Sequence, residues 1–159
     1  MLISFVQEAR TDAGMYFVDP FFIFSGGRMP TGENGSEIWV NTKLPYGHFD
    51  DREFCIAEEA IRVCYKNHSI VMCTVNAPAL RTLLVSAKAP TNTDDHPFPE
   101  RKEWFDNLTA KILKHAEDRL VCMGIDGNSK IGSVASEAKK VMWSREGVQQ
   151  RCAAAQTPY

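Results

Sequence analysis

Residues 98–132 read FPERKEWFDNLTAKILKHAEDRLVCMGIDGNSKIG. Pro99 and Glu100 open this stretch as helices open: a ring that needs no backbone partner, then an acid near the positive end of the helix dipole. Trp104, Phe105, Leu108, Ile112, Leu113 and Ala116 then recur at helical spacing, which predicts a helix over about 99–118 with one apolar face. The run 119–125 follows without a linker and is almost continuously apolar, the pattern of a strand buried on both faces. It ends at Asp126 in a polar, glycine-containing loop that closes at Gly132. A helix laid between buried strands and followed by a polar loop is the layout of a layered α/β domain.

Outward from that stretch, short apolar runs with period-two character predict strands at 2–6, 15–18, 21–24, 37–40, 70–75 and 83–87. Residues 25–35 are loop-like in composition. Asn76-Ala-Pro-Ala79 sits between two apolar runs, where a hairpin connection fits, so a largely antiparallel sheet is expected. The tail from Val134 to Tyr159 has a helical, Ala- and Lys-rich composition with a polar end. The expected division is therefore a domain over 1–133 and a helical or poorly ordered tail over 134–159.

Composition narrows the class. With 159 residues, 18 Lys+Arg and 20 Asp+Glu, the chain carries a formal charge of −2. Any contact with a phosphate backbone must then come from a local basic patch, and a polybasic binder is excluded. No apolar run approaches the roughly 20 residues that a membrane-spanning helix needs, because Asp19, Pro20 and Gly26-Gly27-Arg28 break the most hydrophobic stretch. The start has no basic region and reaches Glu8 too early for a secretory signal, so an intracellular location, cytoplasmic or nuclear, is expected. The five cysteines contain no C-x-x-C pair and read as reduced, packed thiols.

Two acids share an arrangement. Glu8 closely follows the run 2–6, and Asp126 directly follows 120–125, so each emerges at a strand end. If the strands are neighbours in one sheet, both carboxylates meet at its rim, where hard oxygen ligands suit Mg²⁺ or Mn²⁺. The opposing reading is that each is a solvated charge at a strand terminus. Asn128, in the same loop, reads equally as a turn residue. Walker, Rossmann and nucleophile-elbow patterns are absent.

Three ordered segments resemble the endonuclease/exonuclease/phosphatase superfamily: Phe5-Val-Gln-Glu-Ala-Arg10, Leu84-Val-Ser-Ala-Lys-Ala-Pro-Thr91 and Val121-Cys-Met-Gly-Ile-Asp-Gly-Asn-Ser-Lys-Ile-Gly132. The last is most similar to the endonuclease domains of non-LTR retrotransposons. The resemblance implies an α/β sandwich: two mainly antiparallel sheets packed face to face with helices outside, here incomplete. It also implies a Mg²⁺- or Mn²⁺-dependent phosphodiester hydrolase acting on nucleic acid, DNA first. Glu8 matches the metal ligand, Arg10 the residue orienting neighbouring acids, Asp126 the residue that positions water and shares the metal, and Asn128 the phosphate contact.

Lys88 departs from the family's pattern, standing where an aromatic phosphate contact is usual. It remains able to meet a phosphate as a point charge. Gly124-Ile125-Asp126 displaces the glycine that usually precedes the aspartate. Only six residues precede Gln7, and no Asp or His follows Asn128. The expectation is thus a truncated hydrolase domain with reduced or no activity, the alternative being a silent fragment that acts as a non-catalytic binding module.

Overall fold

The computed structural model describes residues 1–32, 35–90 and 98–127. All of these fall within one compact unit. In chain order they form β1 (Ile3–Gln7), β2 (Gly14–Val18), β3 (Phe21–Ser25), β4 (Ser36–Asn41), β5 (Gly47–Phe49), β6 (Arg52–Phe54), β7 (Ile61–Lys66), β8 (Ile70–Ala77), β9 (Leu80–Lys88), the helix α1 (Phe98–Ala116) and β10 (Leu120–Asp126). Two four-stranded sheets result, ordered β1-β4-β3-β2 and β10-β9-β8-β7, with β5 and β6 as a separate hairpin. Every pairing is antiparallel except β9 with β10. This is the α/β sandwich expected from the sequence.

The continuous apolar runs of β8 and β9 follow from burial on two faces. Val71, Cys73, Val75 and Leu84 point into the inter-sheet core, where Phe24, Ile38 and Val40 of the other sheet meet them. Ile70, Met72, Leu83, Val85 and Ala87 point the other way and pack under α1, against Leu108, Trp104, Ile112 and Ala116. Each large side chain so buried contributes about 1.5–3 kcal/mol relative to exposure, which makes these two strands the centre of the domain. Cys55, Cys64, Cys73 and Cys122 are free thiols, and burial pushes the Cys73 thiol well up. Cys152 lies outside the described residues.

Two expectations need correction. The run 119–125 is not buried on both faces. Among the described residues β10 is an edge strand paired only with β9, with Leu120 69% and Met123 45% exposed. The helix begins at Phe98 and stops at Ala116, two residues before the expected end, where Glu117 turns left-handed with φ 45°. Among the described residues α1 is the one α-helix, and it packs on the β10-β9-β8-β7 sheet, outside the inter-sheet core as expected. The connection at Asn76–Ala79 is a hairpin as expected, with Ala77 opposite Leu80.

Candidate functional site at the sandwich rim

The two sheets are tied at one end by a polar side chain on an otherwise apolar face. Period-two alternation sends Gln7 inward with Ile3 and Phe5. Its Nε2 donates to Ser86 Oγ (3.2 Å) and to the Gly124 carbonyl (3.3 Å), while Ser86 Oγ donates to the Val6 carbonyl (3.3 Å). One amide therefore joins β1 to both β9 and β10. Close approach of β1 to β10 also requires Gly124: a Cβ there would lie 2.3 Å from Phe5 Cβ. The displaced glycine of the sequence thus has a packing role, set by β1 crossing it.

Beyond this clamp lie the strand ends that carry the predicted residues. Glu8 follows β1 in the left-handed region, φ 61°, which a non-glycine residue adopts only under constraint. Its Oε1 accepts a hydrogen bond from Lys88 Nζ at 2.7 Å. The two side chains differ in setting: that of Lys88, at the end of β9, is 9% exposed and that of Glu8 is 67% exposed. Asp126 ends β10 as the parallel-register partner of Lys88, and its carbonyl accepts from the Ala89 N–H at 2.8 Å. Glu8, Lys88 and Asp126 therefore come to one end of the sandwich. The arrangement differs from the expected one, since β1 and β10 belong to different sheets and the two acids stand at strand ends of opposite sheets instead of along one rim of a single sheet.

Arg10 lies exposed on the loop after β1, close enough for its charge to act on Glu8. It also lines a groove of about 390 Å³ with Asp12, Tyr16, Arg28, Glu37 and Trp39. Glu37 forms the floor of that groove and is only 2% exposed. It accepts hydrogen bonds from Trp39 Nε1 (2.7 Å) and from the Thr11 hydroxyl, so its buried charge is satisfied. Neither Glu37 nor the Gln7 clamp was singled out from the sequence. For Gln7 the available signal was a polar residue on an inward strand position; Glu37 lies on the other face of β4 from the core residues Ile38 and Val40 and carried no such signal. Asn128 lies outside the described residues.

The loops behind the rim are knitted by backbone bonds. The Ala9 N–H donates to the Gly35 carbonyl (3.1 Å), the Gly35 N–H to the His68 carbonyl (3.1 Å), and the Lys88 N–H to the Ser69 carbonyl (2.8 Å). Gly35 has φ 119°, and a Cβ on it would sit 1.7 Å from the Ala9 carbonyl oxygen. This fixes where the chain leaves β1 and therefore where Glu8 stands.

No protein-family model matches the sequence, and no curated protein matches it. Among solved structures, the endonuclease domain of TRAS1, a telomere-specific non-LTR retrotransposon, superposes with a TM-score of 0.50 over 98% of this chain at 17% identity. The likeness is one of fold, an α/β sandwich. The chain spans 57% of the length of that structure, so the fold is what the likeness carries over. On this sandwich, Glu8, Lys88 and Asp126 lie where β1, β9 and β10 end together.

The Glu8 carboxyl is held below its ordinary value of 4.5, first by the hydrogen bond from Lys88, then by the Lys88 charge; burial opposes this and the Arg10 charge adds to it. A carboxyl depressed in the folded state stabilises fully above its unfolded value and loses that contribution as pH falls through the lower folded value. Acidification below 4.5 is therefore expected to lower the melting temperature of the wild type more steeply than that of Glu8→Gln. Parallel pH profiles for the two proteins would show that the pair contributes nothing to stability.

Proposed function

We propose that this chain is an endonuclease-type domain whose rim engages the phosphodiester backbone of nucleic acid, DNA first, as a binding module with little or no hydrolysis. The observation carrying this reading is the Lys88 ammonium, nearly buried and held at the convergence of β1, β9 and β10 by a carboxylate from the opposite sheet. Lys88 and the exposed Arg10 supply the local basic character that the overall charge of −2 does not. Phosphate contacts of this kind are read out by salt dependence, each contributing about 0.9 to the slope of log affinity against log salt. Arg10→Ala is expected to weaken binding of a labelled DNA duplex, measured by fluorescence anisotropy, and to flatten that slope by about one. A slope unchanged from the wild type would remove Arg10 from the interface, and absence of wild-type binding at low salt would end the reading.

A second reading, hydrolysis with Mg²⁺ or Mn²⁺ held by Glu8 and Asp126, is favoured by both carboxyl-bearing strand ends lying at the same end of the sandwich. The donor set fits the ion poorly: the described residues contain no group of three or more His, Cys, Asp or Glu side chains able to hold a metal, and Glu8 is already engaged by an ammonium. Incubation of plasmid or abasic-site DNA with Mg²⁺ separates the readings. We expect the wild type and a Glu8→Gln/Asp126→Asn double variant to leave the same background. Cleavage by the wild type that the double variant lacks would establish the hydrolase.

A further inference from the structure

We infer that the groove on the outer face of the β1-β4-β3-β2 sheet seats an unpaired base of single-stranded nucleic acid, with the adjoining phosphate on Arg10. This rests on the binding reading above and deepens it by naming the strand state that the domain prefers. The groove is built by register. Tyr16 stands opposite Ile23, and Ile23 opposite Trp39, so two aromatic side chains flank an aliphatic one in a single row across β2, β3 and β4. Period-two alternation puts this row on the face away from the inter-sheet core, which takes Phe22, Phe24, Ile38 and Val40. The next row holds Gly14, Ser25 and Glu37, and its first two members are too small to fill it. The Tyr16 ring lies back over Gly14, where a Cβ would come within 3.1 Å of it. Both aromatic side chains are held at their polar ends: Trp39 Nε1 donates to Glu37 at 2.7 Å, and the Tyr16 hydroxyl to the Asp12 carbonyl at 2.8 Å. Side chains already anchored lose little further freedom when a ligand packs on them. Ile23 is buried in the floor, while Val18, further along β2, is 58% exposed. A volume of about 390 Å³ with a mostly apolar lining and few polar groups suits a small planar ligand.

Charge decides which planar ligand. Within the lining, Arg28 is paired with Asp12, Nε to Oδ1 at 3.3 Å, and Glu37 is enclosed by its bonds from Trp39 and Thr11. Arg10 is exposed and forms no ion pair among the described residues, so it is the charge left to meet an anion from outside. The loops that carry the two arginines are joined by the Arg28 N–H, which donates to the Thr11 carbonyl at 3.0 Å. Gly27, at φ 82°, permits their approach, since a Cβ on it would lie 2.7 Å from Ala13 Cβ. Both loops leave the sheet where β2 begins, β3 ends and β1 ends, which is the end at which Glu8 stands. A phosphate backbone crossing the rim therefore reaches Arg10 with the groove directly beside it. In a duplex the faces of the bases are covered by their neighbours and only phosphates are presented. An unpaired base offers its face to aromatic side chains beside a basic track, an arrangement that tolerates any sequence.

The test is fluorescence anisotropy of the full 159-residue chain with a labelled DNA single strand of about 12 mixed-sequence nucleotides and with the duplex of that strand. The wild type is expected to bind the single strand more tightly than the duplex. Trp39→Ala is expected to weaken single-strand binding about 5-fold to 100-fold, the range found when a stacking side chain is removed. Val18→Asp, which sets a carboxylate against the base from an exposed position, is expected to act in the same direction and decides the matter should Trp39→Ala fail to fold. Folded variants that bind the single strand as the wild type does overturn the inference, as does a wild type that binds it no more tightly than the duplex. Either result leaves the binding reading standing where Arg10→Ala still flattens the salt slope on the duplex, whereas absence of binding to both nucleic acids overturns both. Saturable uptake of a free mononucleotide without uptake of the strand overturns the inference in favour of a small-molecule site. Dimerisation in sedimentation that Val18→Asp abolishes, with no strand bound, places a second copy of the chain in the groove and overturns it equally.

Discussion

Gly35→Ala is expected to destabilise the domain by roughly 3–5 kcal/mol, because two costs coincide at this residue. The first is conformational: φ 119° lies outside the regions that an L side chain occupies without strain. The second is steric: the new Cβ meets a carbonyl oxygen at 1.7 Å, and that oxygen belongs to backbone, which cannot rotate away as a side-chain tip can. The carbonyl is that of Ala9, next to Glu8, so the strain falls on the segment that aims the carboxylate at Lys88. Denaturant unfolding measures the loss directly. Gly47→Ala is the control: no heavy atom lies within 4 Å of its added Cβ, and its cost should stay near or below about 1 kcal/mol. Equal stabilities for the two variants would mean that the loop relaxes freely and does not fix the rim.

Gly124→Ala is expected to cost about 2–3 kcal/mol and to uncouple β10 from β1. The added methyl would lie 2.3 Å from Phe5 Cβ and 2.6 Å from the first ring carbon, in a region already packed. Turning the ring relieves only the second contact, so the strands must separate. Separation lengthens the Gln7 bond to the Gly124 carbonyl, already 3.3 Å, beyond useful range and moves Asp126 relative to Lys88. The side-chain amide resonances of Gln7 report this independently of overall stability. Unchanged resonances with unchanged stability would remove Gly124 from the account of how the site is built.

The parts of the fold legible in the sequence were those whose burial imposes a simple period. β8 and β9 are covered on both faces and read as continuous apolar runs, and α1 shows its stripe because a single face packs on the sheet. β7 escaped the sequence reading because its register shifts between Val63 and Tyr65, which breaks the alternation that would have marked it. The β5–β6 hairpin escaped because its turn is Asp50-Asp51, both at positive φ, without the glycine that normally signals such a turn. β10 shows the limit of composition: an edge strand and a doubly buried strand have the same apolar content, and neighbours alone decide which one forms. At the site, strand ends at Glu8 and Asp126 were readable from the apolar runs before them. The pairing of Glu8 with Lys88 was not, since it joins residues 80 positions apart through sheet packing, and nothing local at either one points to the other.

The Gln7 clamp has a consequence for the order in which the protein is made. It joins residue 7 to residue 124, across 117 positions, and the parallel partner of β9 arrives only after the whole of α1 has been threaded over the sheet. Contacts of such long range form late, after local hairpins have been rewarded. A nascent chain emerging from the ribosome can therefore assemble both halves of the hydrophobic interior while its charged rim is still open, and the rim closes only once β10 has been released from the exit tunnel.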